Sequence, residues 1–357
     1  MWERKGAMYR ILIVDDSLFM RNLLSRYIEE AGMKVVGTAR TGLEAIEKTA
    51  LLKPDVITMD IEMPDMDGIS ALTEIMAKYP TPVIMISSFT KEGASETVRA
   101  LQAGAVDFIT KPTGSALFDI YRIRRDLVKK IKAAYGAPVG RLRRLAGLEK
   151  KNAAFPRIVA VSMKPVTQIV AVGASTGGPQ ALTELLTGLP AHFHHPIVIV
   201  QHMPPKFTAS LAERLNTVTH LNVVEVKDEQ PIGNNGVYIA PGDFHLNVME
   251  TRKGYAASLH QRETGSRHRP SVNELFRSVS ALQGIKRHFV LLTGMGDDGA
   301  EQMLLARQDG AAASTIAEAK DTCIVYGMPK AAVERGAAQY QLPLHEIGRK
   351  LVELTRV

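Results

Sequence analysis

Two doubly wound α/β domains in tandem are predicted by three observations. The chain has 357 residues, more than one ordinary core holds. Short apolar runs alternate with helix-length stretches on both sides of one interruption. Polar residues gather at the carboxyl ends of those runs, where ligands collect in an open parallel sheet.

In the first half, Ile11 to Val14, Val35 to Thr38, Val56 to Met59, Val83 to Ile86 and Val106 to Ile109 read as strands of a five-stranded parallel sheet. Thr41-Gly42 and Asp67-Gly68 mark helix starts, and a last helix is expected from about Gly114 into a basic stretch. Tyr135-Gly136-Ala137-Pro138 breaks that helix, and little apolar period returns before Thr167. The boundaries expected are a first domain over 8–130, a basic linker over 131–166 and a second domain over 167–357. Beyond the linker, strands are expected near 168–172, 196–200, 221–226 and 288–292, with helices beginning near Gln180, Phe207, Ser271 and Gly299. Between Gly236 and Leu259 the alternation shortens, which predicts a β-hairpin on an otherwise parallel sheet.

The net charge of +7 is concentrated rather than spread. Tyr121 to Lys151 holds eleven Lys or Arg against Asp126 and Glu149, so that stretch carries +9 and the remainder about −2. Neither globular part therefore has the basic composition of a nucleic-acid-binding surface, and no compact helix-turn-helix pattern is present. The single cysteine, Cys323, excludes an internal disulfide framework and fits a reducing compartment. With no membrane-spanning run and no signal-peptide core, the protein is expected in the cytoplasm.

Gln168 to Gln180 reads Q-I-V-A-V-G-A-S-T-G-G-P-Q, an apolar strand entering a glycine-lined turn and then a helix. That turn makes Ser175 a candidate nucleophile, with a phosphate-binding loop or a plain turn as alternatives. Gln201 and His202 end the apolar run that starts at Pro196, and Thr293 to Gly299 follows another such run, so a serine, a histidine and an aspartate can meet at one sheet edge. Serine needs an imidazole to take its proton and a carboxylate to orient the imidazole, with backbone N–H groups for the oxyanion. His192, His194 and His195 sit in a polar connection before the strand and suit a solvated role, which favours His202. Chemistry alone does not separate Asp297 from Asp298.

In the first half, Asp15 and Asp16 follow the first strand, and Asp60, Ser87 and Lys111 end the third, fourth and fifth. Three clustered carboxylates call for a cation, and hard oxygen ligands suit Mg²⁺. Lys111 and Ser87 can hold a phosphoryl group's oxygens.

These residues carry a resemblance. Asp15-Asp16, the segment Met59 to Gly68, Ser87-Ser88 and Lys111-Pro112 resemble the receiver domain of two-component response regulators, which implies a flavodoxin-like fold. It also implies phosphorylation of Asp60 by a histidine kinase, with Mg²⁺ held by Asp15, Asp16 and Asp60, and a switch in which Ser87, Lys111 and the aromatic Phe108 reorient. Gly173 to Pro179, Gln201 to Pro205, Ile239 to Gly242, Arg269 to Val272, Thr293 to Gly299 and Tyr326 to Pro329 resemble the CheB chemotaxis methylesterase family. The resemblance implies a Rossmann-like catalytic domain whose triad is Ser175, His202 and Asp298, the last chosen by the motif G-M-G-x-D-G, with Thr176 and Met295 beside the oxyanion site. It further implies hydrolysis of glutamyl methyl esters and deamidation of glutamines on methyl-accepting chemoreceptors, relief of inhibition when Asp60 is phosphorylated, and no metal for the ester chemistry.

Overall fold

The computed structural model describes residues 8–112, 117–142 and 164–356, with the backbone alone at 117–122. The expected helix start near Gly114, and Arg143, Arg144, Lys150, Lys151 and Pro156 of the expected linker, lie outside the described residues. The chain divides into two units, Met1–Lys151 and Asn152–Val357.

In the first unit β1 (Arg10–Val14), β2 (Lys34–Ala39), β3 (Val56–Asp60), β4 (Val83–Ser87) and β5 (Asp107–Thr110) form a parallel sheet in the order β2-β1-β3-β4-β5. Helices α1 (Leu18–Glu30), α2 (Gly42–Leu52), α3 (Gly68–Lys78), α4 (Lys91–Gln102) and α5 (Leu117–Ala134) alternate with the strands. The first four start on side-chain caps: the oxygens of Ser17, Thr41, Asp67 and Thr90 accept the otherwise unpaired N–H of Met20, Glu44, Ser70 and Gly93. β3 and β4 are buried at every position, as strands covered on both faces must be. Strand order reverses between β1 and β3, so a crevice opens where Asp15, Asp16 and Asp60 emerge.

The second unit is built on seven parallel strands: β6 (Gln168–Ala174), β7 (Ile197–Gln201), β8 (Asn222–Glu225), β10 (Gly236–Ile239), β13 (Lys286–Leu291), β14 (Ser314–Glu318) and β15 (Tyr340–Leu342), in the order β15-β14-β13-β6-β7-β10-β8. The hairpin exists as β11 (His245–Thr251) and β12 (Gly254–His260), but the expectation that it extends the parallel sheet is corrected. It pairs with β9 (Pro231–Ile232) in a separate antiparallel sheet, because its apolar positions Leu246, Val248 and Ala257 join the core beside α8 (Val272–Ala281) instead of meeting a parallel neighbour. The remaining helices are α6 (Gly178–Thr187), α7 (Phe207–Val218), α9 (Ala300–Gln308), α10 (Met328–Glu334) and α11 (Leu344–Leu354). Phe276 of α8 meets Phe289 of β13 edge to face, with ring centroids 5.1 Å apart, which anchors α8 on the sheet. Cys323 is buried, as expected of a small apolar side chain.

β14 and β15 escape the sequence reading because apolar periodicity is weak there. β14 is Ser-Thr-Ile-Ala-Glu, yet all five residues are buried, and Ser314, Thr315 and Glu318 bond to side chains or backbone of neighbouring segments. Ser314 Oγ lies 2.8 Å from Nδ1 of His288, whose Nε2 lies 3.0 Å from Gln168 Oε1.

Candidate active site

β6 and β13 are neighbours in register, and so are β6 and β7, so their three carboxyl ends lie side by side. Ser175 leaves β6 with its N–H donated to Thr293 O beyond β13 (3.0 Å), while His202 leaves β7 donating its N–H to Ala174 O (3.0 Å). The turn after Ser175 needs Gly177, whose φ of 79° is the left-handed region that L side chains avoid. The approach of the third loop needs Gly294: a Cβ there would stand 2.7 Å from Ser175 Cβ and 2.5 Å from Met328 Sδ. Gln201 Nε2 donates to Ser175 O at 2.9 Å, which holds the turn from the other side.

His202 and Asp298 meet directly, with Nε2 2.8 Å from Oδ2. Nδ1 of His202 is buried and has no protein partner among the described residues. One face of the ring lies on His268, with centroids 4.2 Å apart and planes 13° from parallel.

Asp298 is clamped by the start of α8, accepting from Ser271 Oγ at 3.0 Å, Val272 N at 2.7 Å and Asn273 N at 3.0 Å. It thereby caps a helix that has no cap of its own, and the positive end of the helix dipole faces the carboxylate. Burial pushes its pKa up, but the hydrogen bond and charge of His202 and the two backbone N–H groups outweigh burial and bring it down to about 2. The favour is returned: Asn273 Oδ1 accepts from Gly299 N at 3.0 Å and so caps α9. Asp297 points elsewhere, exposed and ion-paired to Arg335 at 2.6 Å. Of the two aspartates, Asp298 is the one that meets His202.

Thr176 is buried beside Ser175, and its carbonyl accepts from Thr293 Oγ1 at 3.0 Å. Met295, half-buried, follows Gly294 in the loop that presses on the serine. His192 and His194 are exposed, in the connection that enters β7 at the opposite edge.

In the first unit Asp15 and Asp60 are buried and Asp16 is exposed, yet one carboxylate oxygen of each lies within 4.8 Å of the others. Lys111 Nζ donates to Asp60 Oδ2 at 2.6 Å. Burial raises the Asp60 pKa to about 6, with Asp15 adding and Lys111 opposing. Asp15 Oδ2 is buried without a protein partner among the described residues, so the donors present fit a hard divalent cation. Ser87 Oγ lies 3.1 Å from Gly93 O and 2.7 Å from Thr97 Oγ1. Phe108 is packed inward, with Lys130 Nζ 5.0 Å above its ring and 2.9 Å from Asp107 Oδ1.

Residues 170–351, half the chain, match the CheB methylesterase family, and residues 11–120 match the response regulator receiver domain. The chain belongs to the CheB methylesterase family. A CheB relative from Bacillus subtilis, named protein-glutamate methylesterase/protein-glutamine glutaminase, is 44% identical over 349 residues, 95% of either chain. One of the same name from Thermotoga maritima is 45% identical over 346 residues, 97% of this chain and 98% of that one. The crystal structure of the T. maritima CheB methylesterase catalytic domain covers 54% of this chain and all of its own, at 40% identity and a TM-score of 0.51. The acidic cluster of Asp15, Asp16 and Asp60 lies in the part that matches the receiver domain and is typical of a Mg²⁺ site. Among the described residues no helix is long and apolar enough to cross a membrane.

Three residues here carried no signal in the CheB motifs as read from sequence. His268 and Asn273 are ordinary loop and helix-start residues until the fold brings them against His202 and Gly299. Glu318, fully buried at the end of β14, accepts from Thr293 N at 2.8 Å, and the strand it closes gives no apolar signal in the sequence.

Mg²⁺ is expected to raise the receiver's thermal transition by about 5 °C at tenfold its Kd, since relief of carboxylate crowding stabilises only the folded receiver. Differential scanning calorimetry with Mg²⁺ or EDTA checks this. Asp15→Asn should abolish the shift, and a wild-type protein indifferent to Mg²⁺ would count against the site.

Proposed function

We propose that this CheB-family protein is a protein-glutamate methylesterase and protein-glutamine glutaminase acting on chemoreceptors, a serine hydrolase controlled by phosphorylation of its receiver. One observation carries the reading: a buried imidazole held by an ionised carboxylate at the strand end next to Ser175. Because an ionised Asp298 only accepts, the ring proton sits on Nε2, and Nδ1 keeps its lone pair. Nδ1 is therefore the general base. It takes the Ser175 proton as Oγ bonds to the ester carbon, and the oxyanion forms beside the Thr176 and Met295 backbone. The proton on Nδ1 then passes to the departing methoxide, giving methanol and an acyl-serine, and a water activated by the same nitrogen releases glutamate.

In the receiver, Asp15, Asp16 and Asp60 would hold Mg²⁺, which offsets the charge of the incoming phosphoryl group. Asp60 attacks the phosphorus of a histidine kinase's phosphohistidine, the P–N bond breaks and the kinase's imidazole leaves, with Lys111 on one phosphoryl oxygen. To reach another, Ser87 gives up its bond to Gly93 O, and the receiver resemblance couples that movement to Phe108. A fluorophosphonate probe tests the hydrolase reading: labelling at Ser175, lost in Ser175→Ala, supports it, and an unlabelled wild-type protein sinks it.

The same site should deamidate a receptor glutamine, since the oxyanion contacts do not distinguish ester from amide and Nδ1–H can protonate departing ammonia. Mass spectrometry of receptor peptides is expected to show a gain of about one dalton per site. A protein that releases methanol with no such gain would be an esterase alone.

A further inference from the structure

The hydrolase mechanism leaves one neighbouring segment unused. Gln261 to Arg269, Q-R-E-T-G-S-R-H-R, joins β12 to α8. Its two ends are tied at Asp243: Arg269 donates from Nε to Asp243 Oδ1 at 3.0 Å and from Nη1 to Gln261 O at 2.9 Å, while Gln261 Nε2 reaches Asp243 Oδ2 at 3.2 Å. Gly265 turns the strap with a φ of 74°, and Ser266 Oγ accepts from His268 N at 3.2 Å. His268 then lies flat on His202, which fixes the strap at the edge of the catalytic ring. Arg262 and Arg267 stand just inside the two tied ends. Both are exposed, and neither has an ion pair with a described residue. Such guanidinium groups add little to folding; with the exposed Glu263 beside Arg262 they leave a net charge of about +1 on the segment that lays His268 against His202.

We propose that this strap is the element that grips an acidic helix of the receptor, with Arg262 and Arg267 pairing to glutamate carboxylates on either side of the residue being hydrolysed. The inference rests on the hydrolase reading above and names how that site selects its substrate. Charge complementarity gives the direction. Every turnover replaces a neutral ester or amide by a carboxylate, so a receptor with several such sites becomes more anionic as it is processed. The strap therefore binds partly hydrolysed receptor more tightly and draws the enzyme on to the sites that remain.

The test uses the full chain with Mg²⁺ and a small acyl phosphate, and two helical peptides that each carry one glutamyl methyl ester, flanked in one by glutamates and in the other by glutamines. The wild-type protein is expected to show a KM about fivefold lower for the glutamate-flanked peptide, a preference that fades at high salt. Arg262→Gln with Arg267→Gln should erase the preference while kcat at saturation stays within about twofold, because the loss is one of ground-state binding. A double variant that keeps the preference overturns the proposal. So does one whose unphosphorylated form speeds up equally on both peptides, since the arginines would then hold the receiver instead of the substrate. Fluorophosphonate labelling of wild-type Ser175 reports separately on the hydrolase reading, so failure of that reading is distinguishable from failure of this one.

Discussion

Asp298→Asn should lower ester hydrolysis about 10⁴-fold, whereas Asp297→Asn, which breaks only an exposed ion pair, should leave it within about twofold. The size of the first effect follows from the tautomer. An Asn amide donating to Nε2 of His202 would force the ring proton onto Nδ1, the nitrogen that must accept from Ser175. Ser175→Ala and His202→Ala should each cost as much or more, and the double and triple changes little beyond that, because the three act as one unit. Initial rates of methanol release measure all of these. The Asp298 carboxylate also stabilises the fold. Its pKa falls from 3.8 to about 2 on folding, so its contribution is complete above 3.8 and is lost as pH drops through about 2. Asp298→Asn should therefore cost about 2 kcal/mol at neutral pH, readable by urea unfolding apart from the kinetic loss. If Asp297→Asn were the crippling change, the assignment of the acid would be wrong.

The second large effect concerns control. A fragment beginning at Lys164 keeps the carbonyls of Lys164 and Pro165 that accept from Asn234 Nδ2. If the receiver restrains hydrolysis until Asp60 is phosphorylated, this fragment should turn over on the order of tenfold faster than the unphosphorylated full chain, equivalent to ~1.4 kcal/mol of restraint. The full chain should approach that rate with Mg²⁺ and acyl phosphate, and Asp60→Asn should hold it low under every donor. A fragment no faster than the resting full chain would end the inhibitory reading and leave the esterase reading standing.

Much of this was readable in the residues because local signals and tertiary demands agree. Thr41 and Asp67 announce α2 and α3, and the buried strands β1, β3, β4, β6, β7 and β13 are apolar runs with polar residues at their carboxyl ends. Where they disagree, the sequence misleads. β14 hides because its polar residues bond to neighbours far away in the chain, and the hairpin lies in a sheet of its own because alternation sets which face is buried but not which strand lies alongside. The pairing of Asp298 with His202 rather than Asp297 was legible only through a family motif. Its physical cause is the start of α8, twenty-five residues upstream of Asp298 at Asn273.

That cause has a bearing on how the protein fails. Asp298 holds the first turn of α8, and Asn273 in that turn holds the first turn of α9, so each helix start depends on a residue belonging to the other's approach. Neither can fray alone. The amides of Val272, Asn273 and Gly299 should therefore exchange with deuterium only through the global opening of this unit, not through local fluctuation. On heating, loss of serine reactivity and loss of tertiary structure should coincide, because Asp298, which meets His202, is itself part of the cooperative lock.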